Sequence, residues 1–263
     1  MKINEVKCIS SLTIAGGILL TSTLACAQVS DFRTDVILRL TGAAYGKRQA
    51  PDVASRNDCL ISSNKGGDAR PSRFAWGNGN SKQTYCGFPD ALSLHLNEQA
   101  VWVRRHVTVP EAPARKFYVF EMKKRLPGAA LGRCLFPNAA GTEPVLVSKA
   151  GGTGPICGWT SAEIMQDKGA IWEISQAGTI TSYKTNKCLM FGNSGVDIYA
   201  SLFRWGPGIP NGDESHCGLP YEDVRNSGQA WFYMTDVRYL APPDDPRGWI
   251  PEPYPDQLHT LEP

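Results

Sequence analysis

The sequence predicts an all-β domain of three internal repeats, each stapled by one disulfide, on three observations. A spaced pattern of residues occurs twice without a gap and once more in degraded form. Beyond the N-terminal apolar stretch, each copy holds two cysteines. Short runs rich in branched and aromatic residues alternate with Gly, Pro and Asn clusters, and no long helical periodicity competes with them.

The pattern begins at Cys59-Leu60 and continues through Asn64, Gly66, Asp68, Phe74, Trp76, Gly77 and Gly79. It returns at the same offsets as Cys188-Leu189, Asn193, Gly195, Asp197, Phe203, Trp205, Gly206 and Gly208. Both copies run on to Cys-Gly-x-Pro, at Cys86 and Cys217, and then to Asn97 with Trp102 and Asn226 with Trp231. The degraded copy holds Cys134-Leu135, Asn138, Gly141, Cys157-Gly158 and Trp172, with Val147-Ser148-Lys149 roughly where Phe-x-Trp would stand. Three units follow, about 34–102, 116–172 and 172–231, differing in loops such as Arg104 to Arg115.

One Cys-Leu and one later Cys-Gly per unit give the pairing Cys59–Cys86, Cys134–Cys157 and Cys188–Cys217, since repeated units should fold alike. Each closed loop is worth roughly 3 kcal/mol by restricting the unfolded chain. Zinc is not expected, because no Cys-x2-Cys pair exists and His is scarce. Strands are expected at Asp35–Leu40, Lys116–Met122 and Ile171–Ile174, and a helical turn at Thr160–Gln166.

The two ends read differently. Lys2 and Lys7 precede an apolar run from Ile9 to Leu24, and Ala25-Cys26-Ala27 is a small-x-small cleavage site. Residues 1–27 are therefore expected to be a signal peptide cut after Ala27, which makes the protein secreted or periplasmic and suits its cysteines. Acylation of Cys26 is the alternative, with Leu24 one position too close to it. No second apolar run approaches the ~20 residues of a membrane span. The net charge of +2 falls by one without Lys2, Lys7 and Glu5, and gives no reason to expect nucleic acid. Residues 241–263 hold seven prolines. They are expected to form an extended tail, either a disordered end or one anchored through Trp249, Ile250 and Tyr254 to its own domain or a partner.

Several phrases resemble the ricin-type (R-type) β-trefoil lectins. Gln229-Ala230-Trp231 matches that family's Gln-x-Trp, with looser versions at Gln99–Trp102 and Gly169–Trp172. Trp172 to Ile180 followed by Cys188-Leu189 is similar to its link between units. The resemblance covers about 34–240 and implies, for residues 28–240, a closed six-stranded barrel capped by three hairpins. It also implies carbohydrate binding, with glycans or glycoconjugates as partners. The family often holds sugar hydroxyls with an acidic residue two positions after the first Cys; Ile61, Phe136 and Met190 stand there instead, which argues against its usual galactose site. Its stacking aromatic has counterparts in Trp76 and Trp205. Receptor-binding subunits of cytolethal distending toxins use diverged versions of this domain, which implies a further role beside a toxin or effector subunit.

An aromatic ring between glycines can present a face to a pyranose while Asn and Asp bond its hydroxyls. The candidate glycan ligands are thus Asn64, Asp68, Trp76 and Asn78 in the first unit and Asn193, Asp197 and Trp205 in the third. A purely structural reading puts Phe74 and Phe203 in the core, Asn64 and Asn193 in turns, Asp68 and Asp197 in Asx-turns, and Trp-Gly in a packed corner. Trp102, Trp172 and Trp231 are expected in the core. His95, His106, His216 and His259 have no metal-binding spacing, and no nucleophile elbow or phosphate loop occurs, so neither catalysis nor a cofactor is expected. The expected function is a secreted lectin-like protein. The alternative is a protein–protein interaction module without sugar affinity.

Overall fold

The computed structural model describes residues 27–40, 59–62, 71–74, 98–123, 131–175, 178–190, 199–204, 217 and 232–236. They form an antiparallel β-sheet of 13 strands with one helix among the described residues. The strands are β1 (Gln28–Val29), β2 (Thr34–Leu40), β3 (Cys59–Ile61), β4 (Ser72–Phe74), β5 (Trp102–Thr108), β6 (Phe117–Met122), β7 (Cys134–Pro137) and β8 (Pro144–Val147). Helix α1 (Ser161–Asp167) precedes β9 (Trp172–Ile174), β10 (Ile180–Ser182), β11 (Cys188–Met190), β12 (Ser201–Phe203) and β13 (Phe232–Asp236). The all-β expectation holds, and the three expected strands and the helical turn appear with small shifts of their ends.

One path of pairing runs β13-β2-β5-β6-β9-β10. Three hairpins, β3–β4, β7–β8 and β11–β12, branch from β2, β6 and β10. The branching register is the same each time: Arg39 faces Cys59, Glu121 faces Cys134 and Thr181 faces Cys188. The Cys-Leu pair is thus the start of a hairpin strand, and its leucine points into the core. Leu60, Leu135 and Leu189 are buried in one cluster with Val36, Leu38, Trp102, Phe120 and Trp172.

The closing tryptophans are core residues, as expected of Trp102 and Trp172; Trp231 lies outside the described residues. Trp102 Nε1–H donates to the carbonyl of Leu60 at 2.8 Å, and Trp172 Nε1–H to that of Leu135 at 2.9 Å. A buried indole requires such an acceptor. In the first two units the tryptophan therefore ties the last strand to the Cys-Leu hairpin.

Strand β6 is buried along its whole length, because both faces are covered. One face, with Tyr118, Phe120 and Met122, lies in the central cluster, and the other, with Phe117 and Val119, in a second cluster. That second cluster is closed by Val29 of β1, Ile164 of α1, Ile156 and the Cys134–Cys157 disulfide. Strand β1 pairs with β5, and Ser30 N–H adds a bond to the His106 carbonyl at 2.8 Å. Cover on both sides explains why β6 reads as a nearly continuous apolar run rather than an alternating one.

Two disulfides match the spacing-based pairing: Cys134–Cys157, with Cα atoms 5.8 Å apart, and Cys188–Cys217, 5.6 Å apart. Cys59 is also disulfide-bonded, and Cys86 lies outside the described residues. Cys157 and Cys217, the Cys-Gly cysteines of two units, share a left-handed backbone, with φ of 50° and 55°. This conformation is uncommon for a residue with a Cβ.

Candidate ligand-binding site

The seven candidate glycan ligands, Asn64, Asp68, Trp76, Asn78, Asn193, Asp197 and Trp205, lie outside the described residues. The hairpins that carry them are described. Asn64 and Asp68 fall in the 62–71 connection of β3–β4, and Asn193 and Asp197 in the 191–200 connection of β11–β12. Trp76 and Trp205 follow those hairpins by two residues.

Register aligns the three hairpins independently of composition. Cys59 faces Phe74, Cys188 faces Phe203 and Cys134 faces Val147. Val147 therefore stands in the phenylalanine position, and Lys149 in the position of Trp76 and Trp205. The middle unit has closed that position. Lys149 N–H donates to the Cys157 carbonyl at 2.9 Å, and Lys149 Nζ bonds Glu163 Oε1 at 2.5 Å. Glu163 belongs to a capping box at the start of α1, where Thr160 Oγ1 accepts from Glu163 N–H and Glu163 accepts from Thr160 N–H. The Lys149 hydrogen bond, then the Thr160 N–H bond, holds the Glu163 carboxyl below its ordinary pKa.

The middle hairpin also shows what its asparagine does. Asn138 Oδ1 accepts from Thr142 N–H at 2.9 Å and Glu143 N–H at 3.4 Å, holding the 138–143 turn together. In this unit the asparagine is a turn residue, and the turn is shorter than the 62–71 and 191–200 connections.

In the third unit, the chain from Tyr199 to Phe203 alternates strictly. Ala200 and Leu202 are buried in the central cluster, while Tyr199 and Phe203 are 42% and 39% exposed. Phe203 is thus not a core residue, and the purely structural reading fails for it. The segment is firmly held by its backbone. Ser72 and Tyr199 form a β-bridge, Ala200 N–H donates to the Pro71 carbonyl at 3.1 Å, and Leu202 N–H to the Thr142 carbonyl at 2.8 Å. The third hairpin is bonded in this way to both others. Lys187 Nζ adds a bond to the Gly141 carbonyl at 2.6 Å, and Arg204 Nη1 one to the Asn186 carbonyl at 3.4 Å.

Ile61, Phe136 and Met190, two residues after the hairpin cysteines, are all buried. Their positions supply core. The other notable polar group is on the second-cluster face of β5–β6. Arg105 and Glu121 are both 4% exposed, with Nε and Oε2 4.0 Å apart. Arg33 Nη2 bonds Glu121 Oε2 at 3.2 Å, and Arg105 donates to the carbonyls of Asp31 and Pro155 at 3.4 and 3.3 Å. Burial, and then the Arg33 charge, lowers the Arg105 pKa against the opposing pull of Glu121 and Asp31. This cluster straps residues 31 and 33 and the 155 loop onto the sheet, a structural task.

Among the described residues no group of His, Cys, Asp and Glu side chains is arranged to hold a metal ion, and no helix is long and apolar enough to cross a membrane. Sequence reasoning missed Tyr199, because it belongs to no repeated position; comparing the units position by position would have exposed it. No family model, curated protein or solved structure matches the chain.

Proposed function

We propose that this chain is an exported β-trefoil that binds carbohydrate through shallow sites in its first and third units. The trefoil reading is supported by the threefold succession of a long-path strand, a Cys-Leu hairpin and a further long-path strand, with the same branching register each time. Pairing of β10 with β13 would close the path into a barrel. Export through a signal peptide is supported by Ala25-Cys26-Ala27 and by the disulfides, which persist in oxidising compartments.

One observation carries the binding reading: the exposed Phe203 of the third hairpin, followed two residues later in the sequence by Trp205 between Arg204 and Gly206. The middle unit is proposed to bind nothing, its equivalent position being Lys149 held by Glu163. Pyranose faces would stack on Trp76 and Trp205, with Asn64, Asp68, Asn78, Asn193 and Asp197 bonding hydroxyls. A role as the cell-binding subunit of a toxin is an extension of this reading.

The test is a glycan-array screen of oxidised residues 28–263 beside a folded Trp76→Ala/Trp205→Ala variant. Binding by the parent that disappears in the variant is expected. Binding that survives the double substitution would move the sites elsewhere, and silence of both proteins would refute the carbohydrate reading. The second reading, a protein-binding module, is favoured by the burial of Ile61, Phe136 and Met190, which removes the usual sugar-holding carboxylate.

A further inference from the structure

Strand β1 begins at Gln28, the residue that cleavage after Ala27 would leave at the front of the chain. Ala27 itself lies outside the strand and is half-buried. The bond to be cut therefore stands just ahead of the β1–β5 ladder, and its hydrolysis takes no residue from the sheet. Gln28 faces Thr108, Val29 faces Val107, and Ser30 N–H donates to the His106 carbonyl at 2.8 Å. Bonds between antiparallel strands recur at every second residue, so the Gln28 nitrogen points at β5 as the Ser30 nitrogen does.

The two residues of β1 have different surroundings. Val29 is buried and closes the second cluster together with Val107, Phe117 and Ile164. Gln28 is exposed, so its side chain keeps its rotamer freedom. One of those rotamers folds back and brings the side-chain amide carbon against the residue's own α-nitrogen, at the distance that closes a five-membered ring. A free α-amine titrates at about 8, so a neutral, nucleophilic fraction exists at physiological pH.

We infer that Gln28 is converted after export to a pyroglutamyl residue that seals the N-terminus of the mature chain. This rests on the proposed signal-peptide cleavage after Ala27. The α-nitrogen attacks Cδ of Gln28, a new N–C bond closes the lactam, and the bond from Cδ to the side-chain nitrogen breaks. The proton given up by the amine leaves with the departing ammonia. Nothing is oxidised or reduced, and no co-reactant is consumed. The lactam keeps one N–H, so the ladder position facing Thr108 retains its donor. Sealing also has a use in this fold. An exopeptidase that grips a free α-ammonium would reach Val29 after removing one residue and would open the second cluster; the lactam takes away its grip.

The experiment exports the full chain with its own leader from a bacterial host and weighs the tryptic peptide Gln28–Arg33 of the mature protein. In most molecules this peptide is expected to be lighter by one ammonia and closed to stepwise N-terminal degradation, and an aminopeptidase should leave the parent intact. Gln28→Glu, which cyclises far more slowly, should be cut at the same bond, keep a free amine and be trimmed. A mature chain that starts at Gln28 with a free amine would overturn the inference and leave export standing. Trimming of the parent to the same extent as Gln28→Glu would overturn the sealing. A synthetic Gln28–Arg33 peptide that closes equally during the same handling would overturn it too, by placing the reaction in the tube. A chain that starts at Cys26 or at any other residue would refute the cleavage reading and the inference with it.

Discussion

Trp172→Ala is expected to destabilise the protein by about 3–5 kcal/mol, the cost of emptying a large aromatic site in a packed core. The indole is fully buried among Tyr118, Leu135, Ile174 and Ile180. Its removal also strips the Leu135 carbonyl of the 2.9 Å bond from Nε1, and an orphaned buried acceptor adds about 1–3 kcal/mol. Both losses strike the same junction, where the last strand of the middle unit meets the Cys-Leu hairpin. Trp172→Phe keeps most of the ring and loses only the donor, so it should cost much less. Urea unfolding with disulfides intact measures both. A loss under about 1 kcal/mol in Trp172→Ala would mean that the tryptophan is not the tie described above.

Glu121→Ala is expected to cost about 3–5 kcal/mol for a different reason. The carboxylate bonds Arg33 and lies 4.0 Å from Arg105 Nε, with Asp31 the weaker of the two acidic influences on Arg105, and Arg105 is itself 4% exposed. Without Glu121, a guanidinium stays charged and buried against two carbonyls and a neighbouring cation, Arg33. Arg105 Nε already finds no hydrogen-bond acceptor among the described residues, which leaves Asp31 as the weaker remaining compensation. Replacing the pair together, as Arg105→Met/Glu121→Leu, should restore most of the stability, since removing both charges removes the desolvation cost. The same urea midpoints decide it: a double variant as unstable as Glu121→Ala would show that packing, not charge, is at stake.

The contrast between these residues marks what could be read in advance. Trp102 and Trp172 were legible because repetition gave each a fixed distance from a Cys-Leu pair, and burial of the leucine then dictates burial of the indole. The α1 turn was legible from Thr160-Ser161-Ala162-Glu163, a capping box written in sequence. Arg105 and Glu121 were not, because alternation places a polar residue of a strand on the solvent side. Here that side is roofed by β1 and α1, two elements outside the repeated pattern. The hairpin strands β3, β4, β11 and β12 are three residues each, too short for periodicity, and only cross-strand register makes them visible.

The candidate site was legible as a pattern and not as a surface. Repetition singled out Trp76 and Trp205, and register against Cys134 explains their absence from the middle unit: Lys149 occupies the position and turns back to Glu163. Exposure of Tyr199 and Phe203 depends on which face of β12 meets the core, and that is set by the bonds that Ala200 and Leu202 N–H donate to the Pro71 and Thr142 carbonyls, far away in sequence.

Two sites per chain, one each in the first and third units, is the central claim, and binding stoichiometry tests it most directly. Calorimetric titration of the oxidised protein with its strongest array glycan, in monovalent form, should give two ligands per chain, falling to one in Trp76→Ala and one in Trp205→Ala. A stoichiometry that neither substitution changes would contradict it.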